Sequence, residues 1–288
     1  MPQIRIVLCP VDFSNLARQE LTLATEVSAA FGARLVLHHN LAAVSPGFTR
    51  AWEWNEVHHA DHVSRAKAEA YMRQLLADLP KTVSAEATIS SGPLAPVVLE
   101  LAKQLPADLV VLGSHGWSTP DHTSVTERVI DRCTCPVLTI EEGGTTATPF
   151  RLFSAGSDES SRVVVATDLS AAGTHVLAYA YDLARSAPLE LHVVHVLPSG
   201  ADVPSAERAE QKLLATVPHE LAERVQCYIE RGDTIDAILD FSYGIDPAFM
   251  VMGEHARTFF QRVFSKDTAR GVLHRATCPV WFVPAATV

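Results

Sequence analysis

The sequence predicts an α/β protein of two tandem domains, each an open, doubly wound, parallel sheet of five strands. Three observations predict it. Short apolar, β-branched runs alternate with segments of helical period. The runs are continuously apolar rather than alternating, as burial on both faces of a parallel sheet requires. The whole series also occurs twice, end to end, within 288 residues.

In the first copy a strand over Ile4–Val11 leads into a helix over Leu16–Phe31. Leu16, Leu21, Ala24, Val27, Ser28 and Phe31 fall near one stripe of that helix. Ser14 stands where an N-cap belongs, and Gly32 follows as a stop. Then come a strand at Leu35–His39, a helix at about Asp61–Ala77, a strand at Ala85–Ser90, a helix at Leu94–Gln104 and a strand at Leu109–Leu112. A helix at Val125–Cys133 and a strand at Val137–Ile140 close the copy. The second copy has strands at Val163–Thr167, Leu189–Val196, Val225–Ile229, Phe249–Met252 and Val280–Val283. Its helices are expected at Ala172–Arg185, Ala206–Ala215, Ile235–Phe241 and around Thr268–His274. Right-handed crossovers between parallel strands make each copy a doubly wound sheet.

The repeat is anchored by matched landmarks. Asp12 and Ser14 close the first apolar run of copy one, and Asp168 and Ser170 close that of copy two, 156 residues on. Gly113 and His115 match Gly253 and His255 at an offset of 140, and Cys135-Pro136-Val137 matches Cys278-Pro279-Val280 at 143. The drop from 156 to 140 places extra residues in copy one, within Ala43–Ser64. The rise to 143 removes three residues between Gly113 and Cys135. Glu141 to Ser161, rich in Gly, Ser and Thr, reads as the joint. The expected domains are therefore 1–142 and 162–288, with a linker over 143–161.

Composition narrows the function classes. With 23 Lys and Arg against 33 Asp and Glu, a net charge of −10, the chain lacks the broad basic face that neutralises nucleic-acid phosphates. Nothing approaches the ~18 uninterrupted apolar residues of a spanning helix. The N-terminus runs straight into strand-like sequence without a signal-peptide pattern, so the chain is read as cytoplasmic. Five cysteines, mostly in apolar runs, read as reduced core thiols.

In this fold ligands bind beyond the carboxyl ends of the strands, where the strand order reverses. The residues expected there are Cys9 to Ser14, Asn40 onward and Gly113 to Ser124 in copy one. In copy two they are Thr167, Asp168, Val196 onward and Gly253 to Asp267.

An Asp after the first strand, VLGSHG after the fourth, then SVTERVI and CPVLTI, make each copy resemble a universal stress protein domain, and the whole chain resembles the tandem members of that family. The resemblance implies an adenine nucleotide alpha hydrolase-like fold with the two copies related by a pseudo-twofold axis, their last strands pairing across it. It also implies binding of ATP, with Mg²⁺. The family's phosphate loop reads Gly, two residues, Gly, nine residues, Gly, then Ser or Thr. Its glycines let backbone N–H groups close on phosphates ahead of a helix N-terminus. Gly113 and Gly116 match the first two positions and Ser124, followed by Val125, the last. Thr123 replaces the third glycine and only six residues, Trp117 to His122, intervene. The same resemblance places Pro10, Val11, Asp12 and Asn40 at the ribose and adenine end, with Asn40 where Val is usual. Copy two, with Thr167, Asp168, Val196 and Gly253 as a second candidate site, departs further: Ala256 stands for the second glycine and Lys266-Asp267 for the Gly-Ser pair.

Other readings stand beside these. Asp12 is also placed to cap the helix that follows it. His58, His59, Asp61 and His62 crowd the insertion, and His58 and His62 would share a helical face able to hold Zn²⁺, with Asp61 or His39 as a third ligand. A solvated helix start explains them equally well. Trp52 and Trp54 fit a cover over the crevice or a domain contact. Cys133 and Cys135, one residue apart, differ from thioredoxin-type motifs and are read as structural. Ser154 to Asp158 precedes a strand and is read as linker. No complete catalytic constellation is present. The function expected is a nucleotide-responsive regulatory or protective protein, any ATP hydrolysis being slow and incidental to binding. The alternatives are an interaction module that has lost the nucleotide and, more remotely, a zinc-dependent enzyme. Homodimerisation beyond the intramolecular pairing stays open.

Overall fold

Runs such as Val-Leu-Cys-Pro and Val-Val-Val-Ala carry no polar face and need helices on both sides. The computed structural model, which describes residues 4–12, 16–41, 65–114, 124–141, 161–254 and 266–285, supplies them. Copy one runs β1 (Ile6–Pro10), α1 (Leu16–Phe31), β2 (Arg34–Leu41), α2 (Arg65–Asp78), β3 (Ala85–Ser91), α3 (Leu94–Gln104), β4 (Leu109–Ser114), α4 (Val125–Ile130) and β5 (Val137–Glu141). Copy two runs β6 (Ser161–Ala166), α5 (Ala171–Ser186), β7 (Leu189–Leu197), α6 (Val203–Leu214), β8 (Val225–Arg231), α7 (Thr234–Ile245), β9 (Phe249–Gly253), α8 (Lys266–Leu273) and β10 (Val280–Val283).

The ten strands form one sheet in the order β3-β2-β1-β4-β5-β10-β9-β6-β7-β8. Every pairing within a copy is parallel. β5 and β10 pair antiparallel, with Trp281 opposite Leu138 and Phe282 opposite Val137. Trp281 and Leu138 hold the same position of the repeat, so the pseudo-twofold axis passes between them. One buried cluster joins Val7, Leu35 and Leu109 to Val163, Leu191 and Trp281 under α1, α2, α5 and α6. The other joins Leu8, Val36 and Val110 to Val164, Val194 and Phe282 under α3, α4, α7 and α8. Each face thus has a core continuous across both copies.

The ends of the elements follow local chemistry. α1 stops at Gly32, whose φ of +63° suits glycine, and the Ala33 N–H closes back on the Ser28 carbonyl at 2.8 Å. α4 is shorter than its sequence suggests, ending at Ile130 instead of Cys133. Asp131 caps it, the Cys133 N–H returns to the Val129 carbonyl, and Pro136 downstream disfavours helical backbone at Cys135. β6 begins at Ser161, the last residue of the expected joint, because its N–H pairs with the Pro188 carbonyl. A 3₁₀ turn at His219–Arg224, anchored by buried Leu221, has no counterpart in the expected elements. Among the described residues no helix is long and apolar enough to cross a membrane.

Candidate functional site

Strand order reverses between β1 and β4 in copy one and between β6 and β9 in copy two. A crevice opens at such a point beyond the carboxyl ends of the strands. Pro10 ends β1, Val11 and Asp12 follow it, Asn40 lies one residue from the end of β2, Gly113 lies one from the end of β4, and Ser124 and Val125 start α4. These residues share one edge of the sheet. Thr167, Asp168, Val196 and Gly253 hold the matching edge of copy two. Gly116, His115 and Trp117 to Thr123 lie outside the described residues, as do His255 and Ala256, the insertion with Trp52, Trp54, His58, His59, Asp61 and His62, and Ser154 to Asp158.

The strand ends are held by a device that occurs in both copies. His39 Nδ1 donates to the Val11 carbonyl at 2.9 Å, and His195 Nδ1 donates to the Thr167 carbonyl at 2.9 Å. Both histidines are buried, and both pairs are 28 residues apart. Each imidazole fixes the peptide just before the candidate aspartate. For His39 this replaces metal ligation through Nδ1 with a backbone bond. The ladder also runs one residue past β1, with the Val11 N–H on the His38 carbonyl at 2.8 Å, as Thr167 does on Val194 at 3.0 Å.

Asn40 departs from its counterpart Val196 in a way the structure makes specific. Its Nδ2 donates to the Gly92 carbonyl at 2.9 Å, while its Oδ1 is buried without a hydrogen-bond partner among the described residues. The turn that receives it needs glycine: Gly92 has φ +134° and its repeat counterpart Gly232 has φ +145°. Beside Asn40, His38 is buried and contacts Ser90 Oγ at 2.8 Å. Burial, with the neighbouring His39, lowers its pKa to about 4.

The far end of the loop is clamped at α4. Thr126 Oγ1 donates to the Gly113 carbonyl at 2.7 Å, tying the end of β4 to the helix that resumes after the loop. Ser124 is the N-cap, accepting from the Glu127 N–H at 3.1 Å, while the Ser124 N–H donates to Glu127 Oε2 at 3.2 Å. This capping box was readable as Ser-x-x-Glu within SVTERVI. Glu127 is itself buried; it accepts from Arg270 Nη2 at 3.0 Å, on α8 of the other copy, and contacts Nε2 of His274, the residue that follows that helix, at 2.9 Å.

Asp168 is committed to structure. Its Oδ1 accepts from the Ser170 N–H at 3.0 Å and from Ser170 Oγ at 2.6 Å, and Ser170 in turn caps α5 through the Gly173 N–H. A Cβ on Gly173 would collide with Asp168 Oδ1. Leu169 between them sits at φ +57°, a strained backbone for a bulky residue, and Lys212 Nζ holds its carbonyl at 2.6 Å. In copy one Tyr71 Oη donates to the Asp12 carbonyl at 3.3 Å, and burial together with the Asp12 charge raises the phenol's pKa. His39, His195, Thr126, Tyr71 and Lys212 are the positioning residues that sequence reasoning missed. Only the recurrence of His at one offset, in His39 and His195, was available as a signal.

Comparison with known proteins agrees with the fold. The family model described as the universal stress protein family matches residues 3–141 and again 159–284. No curated protein matches the chain. Among solved structures, a universal stress protein from Archaeoglobus fulgidus DSM 4304 superposes with a TM-score of 0.71 at 19% identity, covering 99% of this chain and 98% of that one. A functionally unknown protein from Pseudomonas aeruginosa PAO1 superposes at 0.63 with 18% identity, covering 99% and 94%. At these identities the structural likeness is one of fold.

Proposed function

Since the chain belongs to the universal stress protein family, as a tandem of two such domains, we propose that it is a nucleotide-responsive regulatory or protective protein that takes ATP in copy one. The observation that carries the reading is the buried Oδ1 of Asn40, without a hydrogen-bond partner among the described residues, on the same sheet edge as Asp12, Gly113 and Ser124. A buried acceptor without a donor costs about 1–3 kcal/mol, and the exocyclic amine of adenine is a donor of the kind it lacks. Asp12 meets the ribose, with Pro10, Val11 and Asn40 lining the base. Backbone N–H groups of the loop from Gly113 through Gly116 and of Val125, with the Ser124 hydroxyl as a side-chain donor, receive the phosphates, the start of α4 adding its positive end. Mg²⁺ would arrive with the triphosphate, held by phosphate oxygens and water.

Copy two serves chiefly as a structural partner. Asp168 is spent on Ser170, Val196 offers no side-chain acceptor, and the second loop glycine is replaced by Ala256. We take binding rather than turnover as the activity, any ATP hydrolysis being slow and incidental to it. The boundaries we assign are 1–142 and 162–288, joined by 143–161, with β5 and β10 holding the copies together.

Isothermal titration of ATP with Mg²⁺ into nucleotide-stripped protein tests this. Binding by the parent, lost in Asp12→Ala and kept in Asp168→Ala, is the expected result, and saturating ligand should stabilise the fold by ~3–4 kcal/mol at 100–1,000 times Kd. Loss only in Asp168→Ala reverses the assignment of the copies. No binding by the parent leaves an interaction module that keeps the fold without the nucleotide.

A further inference from the structure

Spacing sets Cys133 and Cys135 apart from thioredoxin-type pairs, but folding places their sulfurs 3.4 Å apart in the turn between α4 and β5. Both thiols are free. Cys133 is 6% exposed, Cys135 is partly exposed, and Thr134 between them faces solvent. The hydrogen bond with the Cys135 thiol draws the Cys133 pKa down, helped by nearby backbone N–H groups and by Lys103, while the Cys135 thiol is pushed up. The other three thiols differ: burial raises Cys9, Cys227 and Cys278. The repeat supplies an internal control. At the matching turn of copy two Cys133 is replaced by Ala276, so Cys278 has no second thiol and instead lies 3.9 Å from Ser242 Oγ.

We infer that Cys133 and Cys135 form a dithiol switch that a hydroperoxide converts to an intramolecular disulfide. The Cys133 thiolate attacks one peroxide oxygen and the O–O bond breaks. Hydroxide leaves and is protonated to water, and Cys133 becomes a sulfenic acid. The Cys135 sulfur then attacks the Cys133 sulfur. The S–S bond forms, the S–O bond breaks, and the departing hydroxide takes the Cys135 proton as a second water. Two thiols are oxidised by two electrons and one hydrogen peroxide is reduced to two waters. The sulfurs must close from 3.4 Å to about 2.05 Å. A ring this small is strained, and strained disulfides are the readily reduced, regulatory ones. The turn joins the helix that carries Ser124 and Glu127 to the strand that pairs with β10, so its tightening acts on both the loop end and the contact between copies.

The test treats the full-length protein with hydrogen peroxide at a slight molar excess, quenches, denatures, alkylates the free thiols and maps tryptic peptides. Cys133 and Cys135 share one peptide, Cys133–Arg151, and Cys278 lies in another. The expected result is a Cys133–Arg151 peptide that is unalkylated and lighter by two hydrogens, restored to double alkylation by dithiothreitol, with Cys278 alkylated throughout. Cys133→Ala, which copies the native arrangement of the second turn, should leave Cys135 fully alkylated under the same treatment. Double alkylation in the treated parent overturns the inference. So does accumulation of Cys133 sulfinic acid beside an alkylated Cys135, or loss of Cys135 alkylation in Cys133→Ala at the parent's rate.

Discussion

Glu127 and Arg270 hold the same position of the repeat and meet across the pseudo-twofold axis, Oε2 to Nη2 at 3.0 Å. The carboxylate is 5% exposed and the guanidinium 42% exposed. Had the copies stayed identical here, the axis would set Glu against Glu or Arg against Arg. His274 adds a second contact to the carboxylate, from the position that matches Asp131. The seam is therefore complementary only between unlike copies.

A charge-swap cycle measures this. Glu127→Arg sets two arginines against each other and Arg270→Glu sets two carboxylates, so each should lower the urea midpoint. The double variant should recover much of the loss, with a coupling energy of about 0.5–3 kcal/mol. Additive losses in the double variant would show that the pair does not couple.

Removing the imidazole from either strand end should act on its own copy. His39→Ala leaves the Val11 carbonyl without its 2.9 Å donor, and His195→Ala does the same for Thr167. Each should cost about 1–3 kcal/mol by chemical denaturation. Only His39→Ala should also weaken ATP binding by calorimetry, since only the first copy presents Asp12 and Asn40. Equal loss of affinity in both variants would contradict the assignment of the site.

Protonation of His38 gives a pH signature. Its folded pKa of about 4 lies below the ordinary 6.5, so the unfolded chain takes up the proton first on acidification. The stability tied to the neutral imidazole is whole above about pH 6.5 and drains away as pH falls towards 4, by ~3 kcal/mol in total. His38→Val, which installs the residue of copy two at Val194, should flatten that part of the stability curve. An unchanged slope between pH 6.5 and 4 in the variant would assign the loss to other groups.

If Asn40 accepts from an exocyclic amine, the parent should prefer ATP to inosine triphosphate, which carries a carbonyl in place of that amine. Asn40→Val, the residue of copy two, should shrink the preference by roughly three- to tenfold, the worth of one hydrogen bond. Competition calorimetry with the two nucleotides reads this directly, and a preference that survives the substitution rules out the contact.

Much of this was legible in advance, and the reason is local. Continuous apolar runs and Cys-Pro-Val at a constant offset located the strands, and that offset of 143 alone equates Leu138 with Trp281. Gly32 announced the end of α1. The histidine device was not legible, because the bond from His39 to Val11 depends on the register of β1 against β2, which sets Pro10 against His38. No spacing along the chain encodes that register. The end of α4 was missed for a related reason: the amphipathic pattern runs on to Cys133, while the turn towards Pro136 breaks it earlier. Asp168 was placed at the right edge, yet its bond to Ser170 turns on a side-chain rotamer, which composition does not reveal.

The antiparallel join of β5 to β10 also changes the order of the assembly reaction. In two separate chains such a join is bimolecular and is lost on dilution. Here both strands belong to one polypeptide, so the association is unimolecular, indifferent to how much protein is present, and fixed at one first copy for each second copy. A fixed ratio releases the halves from having to resemble each other. One can keep Asn40, Thr126 and Cys133 while the other carries Val196, Ala269 and Ala276, and the molecule remains whole.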